Sequence, residues 1–226
     1  MKKKYSIIFI GIAMITLNVI CLNWAIQQRR MKELAATTAS DRKQILSLLL
    51  GNIQMHYTYS ECQLPDIILI DKLKNEITLS SIIADKRKLA LKFSPQNCYS
   101  CIEFAMFCLE ELALSKPNIK EQLLIIISNA SYREYQAISN SLQSDIPIYL
   151  SKDSAFSTIL KEENIPFVFV MNERLCMDDL FIPIKEMPNY SDLYFHIIKQ
   201  NISGIYKKRR AIFLFVVLRL CLALKF

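Results

Sequence analysis

An α/β layered domain behind a single membrane-spanning helix is the architecture this sequence predicts, and three observations predict it. Apolar strand-like runs alternate with helix-like segments from about Leu64 to Gln200, the pattern of a sheet covered by helices. Cys98-Tyr99-Ser100-Cys101 sits where one such strand gives way to a helix. Tyr5 to Ile26 carries no charged residue and follows a basic N-terminus, Lys2-Lys3-Lys4. As a helix it spans about 33 Å, enough to cross a bilayer core. At 226 residues the chain holds one good-sized domain plus appendages.

The anchor comes first. Trp24 suits a membrane interface. A cleaved signal peptide is the rival reading, but the apolar run exceeds the usual ~7–15-residue core and no A-x-A site follows it. Ile20 is too large for the position before a lipoprotein cysteine at Cys21. Residues 1–26 are therefore read as an uncleaved transmembrane anchor. The basic N-terminus stays in the cytoplasm and the domain lies outside, on the periplasmic side of an inner membrane. Residues 27–61 read as a helical stalk and linker. Ser40 or Asp41 caps a helix that runs through Leu50 and ends at Gly51-Asn52.

The domain is assigned to residues 62–202. Ile67–Ile70 and Glu76–Leu79 form a hairpin about Asp71–Asn75, and Ser80–Asp85 forms a helical turn. Leu89–Phe93 is a buried strand. The C-x-x-C helix follows and stops near Ser115-Lys116-Pro117. Gln122–Ser128 is continuously apolar, as a central parallel strand requires. Ser131–Leu142 is a crossover helix. Ile146–Leu150 is a short strand that Pro147 places near an edge. Asp153–Glu162 is a helix, and Phe167–Met171 with Leu175–Met177 makes a hairpin about Asn172-Glu173-Arg174. A helix capped by Ser191 closes the domain at Gln200. Residues 203–226 form a basic and then apolar tail, whose apolar part, Ala211–Phe226, is short for a span and interrupted by Arg219.

The net charge of +7 is concentrated in Lys2–Lys4, Arg29–Lys32 and Lys207–Arg210, each bordering an apolar run. That is membrane-flanking charge. No aromatic-interleaved basic face exists to argue for nucleic acid.

The chemistry lies in the cysteine pair. The first sulfur at a helix N-terminus meets backbone N–H groups and the helix dipole, which favour a thiolate. The second lies three residues on, within reach for a disulfide, as reversible thiol–disulfide exchange requires. Half of a zinc site and a pair of buried structural thiols are the other readings. Zinc takes about four ligands, yet His56, His196 and the remaining cysteines (Cys21, Cys62, Cys108, Cys176, Cys221) are scattered without ligand spacing. No metal or cofactor is expected. Seven cysteines in all leave one over, which argues against a complete disulfide framework. Cys108 reads as a core residue, and Glu103 as solvent-facing.

Three stretches carry a family resemblance. They are Leu64–Leu69 with Glu76–Ser80, then Phe93-Ser94-Pro95-Gln96-Asn97-Cys98-Tyr99-Ser100-Cys101, then Ile165-Pro166-Phe167-Val168-Phe169-Val170. In that order, over about Leu64 to Gln200, the chain resembles membrane-anchored thioredoxin-like proteins of the TlpA/AhpC-TSA group. The resemblance implies a thioredoxin-like fold, a central mixed sheet flanked by helices with an N-terminal hairpin. It implies that Cys98 is the attacking thiol, that Cys101 resolves the mixed disulfide, and that Pro166 is cis beside them. Ile165, Pro166, Asn97 and Tyr99 are then the candidate substrate-binding residues. Peroxiredoxins are set aside, because Leu91 and Pro95 stand where their loop residues belong.

The chain departs from the pattern in three places. Asn97 replaces the common Trp, Tyr99-Ser100 lacks a proline, and Lys92 replaces a buried acid. Facing the site, Lys92 would lower the thiolate pKa; snorkelling outward, it would do nothing. The function implied is a membrane-anchored thiol–disulfide oxidoreductase with a redox-active centre. Its partners would be cysteines of exported proteins or a redox partner protein. The unusual loop keeps a second reading open, a non-catalytic binding or accessory module of an export or maturation system. A membrane-anchored structural protein with core thiols is the third.

Overall fold

A computed structural model describes residues 27–29, 43–84, 86–115, 117–152 and 165–202. The expected anchor, the 203–226 tail and the helix over Asp153–Glu162 lie outside these residues. Among the described residues no helix is long and apolar enough to cross a membrane. The chain divides into two compact units, Met1–Leu48 and Leu49–Phe226. In the first, residues 27–29 and 43–48 are helical.

The second unit is built on one sheet. Its described elements are the helix α1 (49–59 in this unit), β1 (Cys62–Gln63), β2 (Ile68–Ile70), β3 (Glu76–Thr78) and α2 (Leu79–Ile83). Then come β4 (Lys88–Phe93), α3 (Tyr99–Ser115), α4 (Pro117–Lys120), β5 (Leu123–Ser128) and α5 (Tyr132–Leu142). β6 (Ile148–Ser151), β7 (Phe167–Met171), β8 (Cys176–Phe181) and α6 (Pro188–Ile202) complete it. The strand order is β1-β8-β7-β4-β5-β6-β2-β3. β4, β5 and β6 are mutually parallel, and the remaining pairs are antiparallel, so the sheet is mixed.

The apolar runs explain the centre. Every residue of β5 and of β7 is buried. Strand alternation sends Ala90, Leu124, Ile126, Phe167 and Phe169 to one face, where they meet Leu79 and Ile83 of α2 and Met55 of α1. Leu91 stands opposite Val168, and Val168 opposite Phe181, on the other face. There the Tyr194 ring of α6 stacks on Phe181 at 4.0 Å between centroids. α3 packs on β4 and α6. Each such fully buried Leu, Ile, Val or Phe side chain contributes roughly 1.5–3 kcal/mol before the entropy of ordering is set against it. Ser131 opens α5 with a complete capping box to Glu134. At the β7–β8 hairpin, Asn172 Oδ1 accepts from the N–H groups of Arg174 and Cys176. That Asx geometry makes the turn.

Three local expectations are corrected. The helix expected to stop at Gly51-Asn52 continues to residue 59. Asn52 is fully buried: its Oδ1 accepts from the Ile182 N–H at 2.6 Å and its Nδ2 donates to the Ile182 carbonyl at 3.0 Å. Leaving either backbone group unpaired would cost about 1–3 kcal/mol, so the side chain is committed to a distant loop and does not end the helix. Residues 49–61, expected as stalk, thereby contribute Asn52 and Met55 to the compact unit.

β6 is not an edge strand, since β5 and β2 flank it. Pro147 precedes the ladder and needs no N–H there, while its carbonyl accepts from the Ile125 N–H. Ser191 does not cap α6, which starts three residues earlier at Pro188. Proline is favoured at a first helical position, where its missing N–H costs nothing. Ser191 is buried within the helix and its hydroxyl accepts from the Ile184 N–H at 3.0 Å.

Candidate active site

β4 delivers the chain to the end of the sheet, and Ser94-Pro95-Gln96-Asn97 turns it. The Asn97 N–H donates to the Ser94 carbonyl at 3.0 Å, with Pro95 at the position where its fixed φ suits a β-turn. Asn97 Oδ1 accepts from the Ser94 N–H at 2.8 Å, closing the loop a second time. Cys98 follows at the N-cap of α3. Its carbonyl accepts from the N–H groups of Cys101 and Ile102, both at 3.0 Å, which is how a helix begins. Cys98 is exposed, Cys101 half-buried, and both are free thiols.

The two sulfurs are electrostatically unequal. The Cys101 thiol donates to the Cys98 sulfur; the Ser100 hydroxyl, the Cys101 backbone N–H and the Lys185 ammonium add further stabilisation of negative charge. Together they lower Cys98 to about 7. Burial and the thiolate next to it push Cys101 up to about 11. The arrangement therefore holds one nucleophilic thiolate and one protonated thiol in mutual contact. A dithiol poised this way attacks through its exposed member and resolves through the other.

The other candidates divide. Antiparallel pairing sets Lys92 opposite Phe167, and continuing that register puts Pro166 and Ile165 at the same end of the sheet as Ser94. Ile165 is partly exposed and Pro166 buried. The cis bond at Pro166 is a correction: no described peptide bond is cis. Trans is favoured by about 0.5–1 kcal/mol for an X–Pro bond, and β7 pairs with β4 from it directly. Tyr99 is 71% exposed beside Cys98. Its hydroxyl donates to Glu103. Asn97 is buried and turned to its own loop.

Lys92 does not snorkel. It is buried, with Nζ 5.3 Å from the centre of the Phe167 ring. Cys108 is a core residue whose thiol burial raises to about 12. Among the described residues no group of three or more His, Cys, Asp or Glu side chains is placed to hold a metal ion.

Sequence reasoning passed over two residues. Ser100 Oγ lies 3.3 Å from Cys98 Sγ, and Lys185 Nζ donates to Ser100 Oγ at 2.7 Å. A serine inside the C-x-x-C was visible and gave a clue. Lys185 gave none, because only the fold brings the segment after β8 to the start of α3.

No protein-family model matches the sequence, and no curated protein matches it. Solved structures do. The chain is similar to a protein described as a thiol:disulfide interchange protein DsbE from Chlorobium tepidum, with TM-score 0.50 and 10% identity over 65% of this chain and 98% of that one. A thiol:disulfide interchange protein from a Bacteroides species gives TM-score 0.49 and 13% identity over 67% and 95%. The thioredoxin domain of a thiol-disulfide oxidoreductase from Bacteroides vulgatus gives TM-score 0.45 and 13% identity over 57% and 93%. At such identities the likeness concerns the fold. Joined to the mixed sheet and the helices on both its faces, the first of these likenesses shows that the domain has a thioredoxin-like α/β fold.

Proposed function

We propose that the chain is a thiol–disulfide oxidoreductase, working on cysteines of exported proteins or of a redox partner protein. The observation that carries the reading is the pair of unequal sulfurs, an exposed low-pKa Cys98 in contact with a protonated Cys101. In the reducing direction, the Cys98 thiolate attacks a substrate disulfide and forms a mixed disulfide, expelling one substrate thiolate. That thiolate takes up a proton. Cys101 gives up its proton and attacks the Cys98 sulfur, releasing the second substrate thiol. Two electrons pass to the substrate, and the Cys98–Cys101 disulfide remains for an external dithiol to reduce.

Alkylation mass measurement with and without reductant tests the reading. A loss of two reactive thiols after mild oxidation, mapped to Cys98 and Cys101 and reversed by dithiothreitol, is the expected result. Thiols that stay unpaired under oxidant would end it.

The place of action is proposed from the sequence. The uncharged run Tyr5–Ile26 behind a basic N-terminus supports an uncleaved single-pass anchor with the domain outside the cytoplasm. A disulfide also persists more easily there than in a reducing cytosol. A reporter fused after residue 60 should be active only outside the cytoplasm. A mature N-terminus near Gln27 would instead mean that the anchor is removed.

A further inference from the structure

We infer that Lys185 is a positioning residue for the Cys98 sulfur and that it acts through the Ser100 hydroxyl; this deepens the dithiol reading and rests on it. The contacts are Lys185 Nζ to Ser100 Oγ at 2.7 Å and Ser100 Oγ to Cys98 Sγ at 3.3 Å.

On geometry alone either atom of the second contact could donate. Lys185 biases the choice between them. An ammonium has donors and no acceptor, so it must donate to the hydroxyl oxygen. That oxygen then already accepts a charge-assisted hydrogen bond. The positive charge beside that oxygen disfavours a second donor, the Cys98 thiol, and favours directing the hydroxyl proton to the sulfur 3.3 Å away. An O–H group directed at sulfur favours the thiolate. Without the lysine, that bias is lost and acceptance from the Cys98 thiol is no longer disfavoured, which favours the protonated form. Lys185 thus biases the direction of a hydrogen bond as well as adding positive charge.

Among the described residues the surroundings leave this role to Lys185. Glu186 Oε1 lies 3.9 Å from Lys185 Nζ, an exposed pairing of little strength. On α3, Glu103 is engaged by Tyr99. On α6, Asp192 acts on the deeper Cys108. On β4, Lys92 lies against Phe167. Lys185 and Ser100 are both exposed, so their replacement leaves the core untouched.

The test reads the thiolate itself. The reduced full-length chain is treated with iodoacetamide across pH 5 to 9, and the Cys98 peptide is followed by mass. Lys185→Met and Ser100→Ala should each raise the midpoint of the rate profile. A rise of one unit would lower the thiolate fraction at pH 7 about fivefold. The double variant should shift no further than the larger single one, because both changes break one chain of contacts. Lys185→Arg should restore the original midpoint in large part.

An unchanged midpoint in Lys185→Met overturns the inference. So do additive shifts in the double variant, which would mean that the lysine acts only as a nearby charge. These failures differ from failure of the oxidoreductase reading. A chain that never forms the Cys98–Cys101 disulfide ends that reading, whereas one that forms it with a midpoint indifferent to Lys185 ends only this inference.

Discussion

Replacing Cys101 with alanine should turn the protein into a trap. Cys98 can still attack, and the mixed disulfide then has no internal thiol to resolve it. Intramolecular reactions in good geometry reach effective molarities of ~10⁵ M and above. A millimolar external thiol is a weak substitute, so release should slow by at least about 10³-fold. Under non-reducing electrophoresis, the Cys101→Ala chain should carry covalent adducts that dithiothreitol removes. Cys98→Ala should carry none and should lack exchange activity, because Cys101 is half-buried and protonated at neutral pH. Adducts in the Cys98→Ala chain at the level of the Cys101→Ala chain would reverse the assigned roles. Removing the sulfur donor from Cys101 also raises Cys98 somewhat, since that hydrogen bond is the largest single cause of its low pKa. Trapping is therefore best run above pH 8, where either value leaves Cys98 substantially ionised.

The features legible in the sequence were those fixed by neighbours along the chain. The unbroken apolar run Leu123–Ile127 announced a strand buried on both faces, and the structure places it between β4 and β6. The Asn172 turn and the C-x-x-C at a helix start are local as well, and both are found where expected. Three of the errors arise where contacts outside the local segment override a local signal. Gly51-Asn52 reads as a helix end until Ile182 claims the asparagine. Pro147 reads as an edge until the register shows it outside the ladder. Ser191 reads as a cap until Ile184 claims its hydroxyl.

The site follows the same rule. Cys98, Cys101 and the helix start that holds them form one contiguous segment and could be read directly. Lys92 could not be assigned a direction, because burial against Phe167 depends on β4 pairing with β7. Lys185 lies 85 positions from Ser100, and nothing in its own neighbourhood marks it. The cis geometry at Pro166 came from resemblance alone, and the backbone does not show it.

The three thiols of α3 and its N-cap should separate widely in reactivity with pH. Cys98 is set at about 7, Cys101 at about 11 and Cys108 at about 12. At pH 7 about half of Cys98 is thiolate, against about one part in 10⁴ of Cys101. The intrinsic nucleophilicity of a thiolate rises with its pKa, with a Brønsted slope of ~0.4–0.5, which returns part of that gap to Cys101. A preference for Cys98 of about 10² at pH 7 remains. The sign follows from the direction of each shift. Lowering the pH below 7 protonates Cys98 and cuts its rate about tenfold per unit, while raising it above 8 leaves that rate on a plateau. Cys101 and Cys108 keep gaining across the same range, so the selectivity must shrink as pH rises. Timed iodoacetamide labelling of the reduced chain, quenched and mapped by peptide mass at several pH values, measures all three together. A Cys98 profile that turns at or above the ordinary thiol value of about 8.5 would remove the activated nucleophile. Equal labelling of Cys98 and Cys101 at pH 7 would show that the Cys101 thiol does not donate to the Cys98 sulfur, and the division of labour between attack and resolution would lose its physical basis.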